Sequence, residues 1–278
     1  MKKFTVTTES DLKDFTDAVY PQGSFVFNAL LKKGDIRVNG VKQRKSVRLS
    51  AGDEVIYYTT TAQEDKPSHT VVYEDENILI ADKFGGVSSE GLFSELCARG
   101  EYYPVHRLDR NTCGLIALAK NGRAEEELIS AFKERSVEKI YYCFAANNFR
   151  ARSATLTAYI TKDAASGTVR VFNSPADGRV KIVTEYAVEK SFGDYALVRV
   201  TLHTGKTHQI RAHLASIGCP VLGDGKYGDA ALNKKYNAAR QILVARELTF
   251  HLTGALAYLD GRKFVSNFFP ALPKDSAK

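Results

Sequence analysis

The order of strand-like and helix-like segments after residue 71 restricts the fold of this 278-residue chain more than any other feature. Ile140, Tyr142 and Phe144 recur at every second position, as in a half-buried strand, and residues 195–202 form another long strand-like run. Helical patterns are too few and too irregular for the repeated strand–helix–strand units of a parallel sheet, and no Gly-x-Gly-x-x-Gly loop occurs. We therefore predict an α+β fold, in which helices flank a mixed, largely antiparallel β-sheet.

Two helices are predicted beside this sheet. The first begins at Asn121, a residue type that suits an N-cap, and continues through Arg135. The second begins at Thr207, which also suits an N-cap, and ends before Gly218. The apolar stripe that we expect this second helix to bury consists of Ile210, Leu214 and Ile217. Arg211 lies beside that stripe, where its guanidinium could reach a neighbouring carboxylate.

A basic charge balance indicates what kind of partner the chain binds. The formal net charge is +7 and the isoelectric point is about 9.1, which favours a polyanion such as a nucleic acid. No apolar run is long enough for a transmembrane helix, and the first residues lack the apolar core of a signal peptide. We therefore expect a cytoplasmic protein without membrane contact. The cysteines, which form no Cys-x-x-Cys pair and so indicate neither zinc nor redox chemistry, are Cys97, Cys113, Cys143 and Cys219.

Basic residues are concentrated near the N-terminus, where Asp35 is the one acidic residue between positions 32 and 48. Gly34 ends a helical pattern, a short strand-like run follows, and Asn39-Gly40 is the dipeptide of a tight β-hairpin. This pattern is also consistent with an ordinary hairpin that has a solvated basic face and no role in binding.

This helix-to-hairpin segment resembles the alpha-L RNA-binding motif that ribosomal proteins share with several RNA enzymes. The resemblance covers residues 3–58, and its matching runs are Leu31-Lys32-Lys33-Gly34-Asp35-Ile36-Arg37-Val38-Asn39-Gly40 and Ser50-Ala51-Gly52-Asp53-Glu54-Val55. It implies a small N-terminal α/β RNA-binding domain at residues 1–60. The polar composition of residues 61–70 predicts a linker, which a larger domain follows at residues 71–278. The basic side chains implied to contact RNA are Lys32, Lys33, Arg37, Lys42 and Arg44.

One aspartate in the larger domain is a candidate for chemistry. Asp109 lies in a polar, basic loop between Arg107 and Arg110, just before an apolar strand. We expect the two arginines to keep its carboxylate ionised, because nearby positive charge favours the charged form. An ionised carboxylate acts as a nucleophile or as a base. The alternative is a surface loop held by ion pairs.

Three histidines suggest a metal site, but their spacing argues against one. His203, His208 and His213 are five positions apart, whereas zinc-binding helices use a spacing of three or four. We therefore expect capping or core histidines, and no metal.

Motifs across residues 71–270 resemble those of RluA-type pseudouridine synthases in order and spacing. The runs that carry the resemblance are Ile80-Ala81-Asp82-Lys83, His106-Arg107-Leu108-Asp109, Thr112-Cys113-Gly114-Leu115, Lys139-Ile140-Tyr141, Gly205-Lys206-Thr207-His208-Gln209-Ile210-Arg211, Leu222-Gly223-Asp224, Tyr227-Gly228 and Arg240-Gln241-Ile242-Leu243. The chain departs from the usual pattern at Phe84, Cys113, Lys206 and Val244. We expect Phe84 and Val244 to alter contacts with RNA.

The resemblance implies roles for individual residues. Asp109 is implied to be the catalytic residue, and Arg211 the basic residue that pairs with it. Tyr141 is implied to pack on the target uracil, and Ile210 to form an apolar wall of the pocket. Arg107 is implied to enter the space that a flipped base leaves. Two further residues of the same motifs, expected to bind the substrate, are His106 and Lys206.

The reaction implied is the isomerisation of uridine in RNA to pseudouridine, without a cofactor. Asp109 would either attack the ribose or remove a ribose proton, and both routes stay open. Ribosomal RNA is expected rather than transfer RNA, because family members with an alpha-L domain mostly act there. A monomer is expected.

Two other function classes compete with this interpretation. A non-catalytic RNA-binding protein is expected to lack one of Asp109, Tyr141 and Arg211, yet all three are present. A metal-dependent hydrolase would need the histidine spacing that the chain does not have.

Overall fold

The computed structural model describes residues 1–64, 67–163 and 167–273, and this part of the chain forms 17 strands, eight α-helices and one 3-10 helix. None of these helices has the length and apolar character needed to span a membrane. The N-terminal elements are β1 (Lys2–Thr5), β2 (Ser10–Asp11), α1 (Leu12–Val19), α2 (Pro21–Phe25), α3 (Phe27–Lys33), β3 (Ile36–Val38), β4 (Val41–Gln43), β5 (Arg48–Leu49), β6 (Glu54–Tyr57) and α4 (Thr61–Glu64). The later elements are β7 (His69–Glu74), β8 (Ile78–Lys83), α5 (Ser89–Cys97), β9 (Tyr103–Pro104), β10 (Cys113–Ala119), α6 (Gly122–Glu134), β11 (Val137–Ala146), β12 (Ser153–Asp163), β13 (Thr168–Phe172), β14 (Val180–Phe192), β15 (Tyr195–Leu202), α7 (Gln209–Ser216), α8 (Ala230–Lys235), β16 (Leu243–Phe250), the 3-10 helix (Gly254–Leu259) and β17 (Lys263–Val265).

The N-terminal elements surround a four-stranded antiparallel sheet in the order β1-β6-β3-β4. The predicted hairpin is confirmed, since Asn39 and Gly40 have φ angles of 48° and 79°, the two positive values that a type I′ turn requires. Helix α3 ends at Gly34 as predicted, because this glycine takes a left-handed backbone with φ of 75°.

The strands from β7 onward form one 11-stranded sheet, which confirms the predicted mixed, largely antiparallel α+β fold. Its main path is β13-β12-β14-β15-β11-β16-β10-β8-β7, with β17 beside β16 and β9 beside β10. Among the described pairings, β10 and β16 run parallel, joined at Cys113–Val244 and Gly114–Ala245. Gly114 has a φ of 110°, and a Cβ there would lie 2.2 Å from the Ala245 carbonyl oxygen, so this close approach requires glycine.

The central strands of the large sheet are buried on both faces. On one face of β8, Ile78 and Ile80 pack with Leu128 of α6. On the other face, Leu79 shares a core with Phe25 of α2, which is 5% exposed. The N-terminal segment is therefore packed against the large sheet.

Three local predictions are wrong. The segment expected to be a linker contains helix α4 and the start of β7 at His69, while residues 65 and 66 lie outside the described residues. The N-cap position of helix α7 is His208, in a left-handed conformation with φ of 55° and without a side-chain cap, and not Thr207. Ile217 is 37% exposed instead of buried, because α7 ends before it. The division into domains at residues 60 and 71 stays a prediction.

Candidate active site

The loop between β9 and β10 carries Asp109, and its shape is fixed by backbone contacts. The Thr112 N–H donates to the Asp109 carbonyl at 3.0 Å, which closes a turn. Ser89 Oγ of α5 donates to the Leu108 carbonyl at 2.9 Å and accepts from the Leu108 N–H at 3.0 Å. These bonds leave the Asp109 carboxylate, 22% exposed, available to a substrate.

Lys83 supports this loop from beneath, a role that sequence reasoning missed. The residue is fully buried, and its Nζ donates to the carbonyls of Val87 at 2.8 Å, Arg110 at 3.2 Å and Asp109 at 3.3 Å. Burial lowers the pKa of Lys83 to about 7, partly offset by the charge of Asp109. A lysine that ends an apolar strand was the available signal, because such a residue must find acceptors inside the protein.

Arg211 joins two carboxylates, as its place beside the apolar stripe of α7 predicted. Its Nη1 donates to Asp109 Oδ2 at 2.7 Å, while Nε and Nη2 donate to the two Asp224 oxygens at 2.6 and 2.9 Å. Asp224 also accepts the backbone N–H groups of Lys226 and Tyr227 at 2.8 and 3.2 Å. Asp224 therefore orients the guanidinium, and this role had no sequence signal beyond the family motif that contains it.

Charge and burial oppose each other in this triad. Burial lowers the pKa of Arg211, but the hydrogen bonds and charges of Asp224 and Asp109 outweigh it, and the pKa lies above its ordinary value. Burial likewise raises the pKa of Asp224, but Arg211 and the backbone donors hold it below its ordinary value. Arg211 and Asp224 are thus both charged at neutral pH.

Asp109 and Arg211 line a cavity of about 490 Å³, a size typical of small-ligand sites. Its apolar wall includes Tyr141, Ile210 and Leu243, which are buried members of the hydrophobic core. Burial, and then the charge of Asp109, raise the pKa of Tyr141, so its phenol stays neutral. The other predicted substrate-binding residues of the catalytic motifs that line the same cavity are His106, Arg107 and Lys206.

His106 is fixed in one neutral form. The Ala117 N–H donates to its Nε2 at 2.8 Å, so Nε2 carries no proton and the remaining ring N–H is on Nδ1. The ring stacks on Phe132 with centroids 4.3 Å apart. Burial, followed by the charge of Lys139, lowers the pKa of His106 to about 3. This histidine therefore brings no positive charge to the cavity that it lines.

The two arginines that were expected to keep the Asp109 carboxylate ionised both pair with other carboxylates. Arg107 pairs with Glu90 at 2.7 Å, and Arg110 pairs with Asp17 of α1. The ion-pair partner of Asp109 is Arg211, which lies 102 positions away in the sequence.

The three histidines near α7 face separate partners. The hydrogen bonds are His203 Nε2 to Glu185 at 3.0 Å, His208 Nδ1 to Tyr227 Oη at 2.9 Å, and His213 Nδ1 to Thr184 Oγ1 at 2.9 Å. In residues 1–64, 67–163 and 167–273 no group of three potential metal ligands occurs.

Two departures from the family pattern are accommodated inside the fold. Val244 is 3% exposed in β16, and Phe84 packs against Phe268 with ring centroids 5.2 Å apart. Because Val244 is buried and the Phe84 ring packs on another side chain, either could alter contacts with RNA only through its neighbours, and that expectation stays a prediction.

Comparison with known proteins supports the interpretation of the motifs. The model of a family described as RNA pseudouridylate synthase matches residues 92–216, a span that includes Asp109, Tyr141 and Arg211. A large-subunit ribosomal pseudouridine synthase C from Vibrio cholerae is 30% identical over 80% of this chain and 78% of its own length. An uncharacterised RNA pseudouridine synthase from Aquifex aeolicus is 32% identical over 79% of this chain and 77% of its own length.

A solved structure shows the same fold. Human RNA pseudouridylate synthase domain containing 4 superposes with a TM-score of 0.58 at 23% identity, over 73% of this chain and 88% of that one. The sequence relationship extends over more than three quarters of both chains at 30% identity or above. The chain therefore belongs to the RNA pseudouridylate synthases, and it is an enzyme of the RluA type that isomerises uridine in RNA to pseudouridine.

Proposed function

We propose that the protein modifies ribosomal RNA and that Asp109 is its catalytic carboxylate, with Arg211 and Tyr141 as the groups that serve it. The observation that carries this proposal is the 2.7 Å ion pair between Asp109 and Arg211 at the edge of a cavity lined by Tyr141 and Ile210. Because the backbone and not the carboxylate anchors the loop, the carboxylate is free to react.

The isomerisation of uridine requires an anionic group beside a flat, apolar pocket for the base. The bond between ribose C1′ and uracil N1 breaks, the base turns, and C1′ bonds to C5, whose proton is released while N1 gains one. Asp109 either attacks C1′ or removes a proton from the ribose. Arg211 orients the carboxylate, since a bidentate bond to Asp224 fixes its guanidinium.

The target base must leave its helical stack before it reaches the carboxylate. Stacking on the Tyr141 ring would offset part of that cost, by about 1–3 kcal/mol. The Arg107 side chain is 67% exposed and pairs with Glu90, which is also half exposed. Such an exposed ion pair contributes little, so the side chain can swing into the vacated stack.

The substrate class is tested by tritium release. RNA labelled at uracil C5 loses tritium when pseudouridine forms, so ribosomal RNA from cells that lack this protein should release label when the enzyme is added, and transfer RNA should not. The relative from Vibrio cholerae is a ribosomal large subunit pseudouridine synthase, which supports this choice. Label released from transfer RNA alone would contradict it.

The basic hairpin is proposed to anchor RNA through its phosphates. Arg37 and Lys42 are cross-strand partners, so their side chains share one face. Arg44 Nη1 donates to the Lys32 carbonyl at 2.8 Å, which gathers these charges at the end of α3, where Lys33 also lies.

Replacing Lys32 and Lys42 by glutamine should weaken RNA binding without changing the rate at saturating RNA. Phosphate contacts contribute affinity, and each one lost should reduce the slope of log affinity against log salt by roughly 0.7–0.9. Filter binding at several salt concentrations measures the slope. Lys263→Gln, which removes an exposed charge on β17, is the matched control and should keep the wild-type slope. An unchanged slope in the double variant would refute the anchoring role.

A further inference from the structure

Arg110, the residue directly after Asp109, is held by the N-terminal segment. Its Nη1 donates to the carbonyl and the Oγ of Ser24 at 3.1 and 2.9 Å, and its Nη2 pairs with the Asp17 carboxylate. Ser24 Oγ in turn donates to Asp17 Oδ1 at 2.7 Å. Asp17 is 8% exposed, so this ion pair lies largely away from water and fixes the guanidinium firmly.

The other end of Arg110 belongs to the catalytic loop. The Arg110 carbonyl accepts the Gly86 N–H at 2.9 Å and Lys83 Nζ at 3.2 Å. Since Arg110 and Asp109 share a peptide bond, a guanidinium tied to α1 and a carbonyl tied to the large sheet together restrain the backbone that carries the Asp109 carboxylate.

Further contacts keep α1 at the rim of the active site. Ser94 Oγ of α5 donates to the Ala18 carbonyl at 2.7 Å. Lys13 Nζ lies 3.4 Å from Asp17 Oδ2, and the charge of Lys13 also acts on Lys226. Burial first, then the charges of Arg211 and Lys13, lower the pKa of Lys226, while Asp109 raises it. The N-terminal segment and the catalytic groups therefore share one electrostatic environment.

We infer that Asp17 and Ser24 are positioning residues for the isomerisation: they hold Arg110, and through it the loop that presents Asp109. This inference rests on the proposed role of Asp109. It makes the seating of the N-terminal segment a determinant of the catalytic rate, in addition to any affinity that the basic hairpin provides.

Asp17→Asn tests the inference, because the amide keeps the shape but removes the charge that Arg110 faces. Tritium release at saturating RNA should show a kcat lowered about 10- to 100-fold, since misplacing a reacting group by about 1 Å can cost about 100-fold. KM should change little. Asp14→Asn, at an exposed position of the same helix, is the matched control and should keep the wild-type kcat.

A double-variant cycle separates positioning from general stability. If Asp17 acts through Arg110, adding Asp17→Asn to Arg110→Met should lower kcat no further than Arg110→Met alone. A purely structural role predicts a lower melting temperature with wild-type kcat below that temperature, and this result would overturn the inference. If Asp17→Asn does not fold, Ser24→Ala replaces it: a several-fold loss of kcat supports the inference, and an unchanged kcat overturns it.

The role of Asp109 is judged separately. Turnover by Asp109→Asn would defeat the proposed function, whatever Asp17→Asn does. An inactive Asp109→Asn together with a fully active, folded Asp17→Asn would defeat only the positioning role.

Discussion

Asp109→Asn is expected to abolish uridine isomerisation while the protein stays folded and binds RNA. Asparagine keeps the shape of the side chain but cannot act as a nucleophile or as a base. The loss should be on the order of 10⁴-fold or more, as for nucleophiles of other covalent enzymes. Folding should survive because Thr112 and Lys83 bind the backbone of the loop, and Arg211 keeps its bidentate bond to Asp224.

Tritium release measures the loss, and thermal unfolding and filter binding check the fold and the affinity. Asp177→Asn makes the same chemical change at an exposed turn between β13 and β14, and should leave the rate unchanged. Turnover by Asp109→Asn that exceeds contamination by wild-type enzyme would exclude Asp109 as the catalytic carboxylate.

Arg211→Met should be costly to both stability and rate. The Asp224 side chain has no exposed surface, and it would lose its charged partner while keeping two backbone donors. Removing one partner of a buried pair typically costs about 3–5 kcal/mol of unfolding free energy. Asp109 would lose its guanidinium in the same step, so activity should fall by at least about 100-fold, which corresponds to about 2.7 kcal/mol at the transition state. Urea unfolding and tritium release measure the two effects.

The pH dependence of stability and a second variant show whether Arg211→Met is destabilised by an unpaired buried charge or by poor packing. The pKa of Asp224 is lowered in the folded protein, so its pairing stabilises at neutral pH and is lost as pH falls through the folded value. The stability gap between wild type and Arg211→Met should therefore narrow on acidification. Adding Asp224→Asn should restore stability but not activity, and a double variant no more stable than Arg211→Met would contradict the charge argument.

Local chemistry made part of this molecule predictable. The Asn39-Gly40 turn, the end of α3 at Gly34 and the cap at Asn121 depend on residues a few positions apart, and each lies where the sequence indicates. Local patterns could not predict that Asp109 and Arg211 meet, because the two residues are far apart in the sequence. The family motifs predicted it, because the resemblance carries information about which residues share a site.

The contacts that the sequence could not predict join residues that are far apart along the chain. Arg110 pairs with Asp17, which lies 93 positions away in the sequence. The loop sequence alone could not show that Arg110 pairs with this residue and not with the adjacent Asp109. The polar composition of residues 61–70 predicted a linker, and it could not show that Phe25 of the N-terminal segment is buried in the core of the large sheet. Lys83 and Asp224 were hard to assign because burial, not spacing, gives them their roles.

The parallel pairing of β10 with β16 has a consequence for how the protein is made. During synthesis the N-terminal hairpin emerges early and closes through short-range contacts, whereas β16 leaves the ribosome more than a hundred residues after β10. Until then the inner edges of β10 and β11 are unpaired, and Asp109 lacks Arg211 for most of that interval. The nascent chain thus acquires the basic hairpin, which we propose anchors RNA, well before Asp109 and Arg211 can meet. A chain terminated before residue 243 would expose two open strand edges to aggregation.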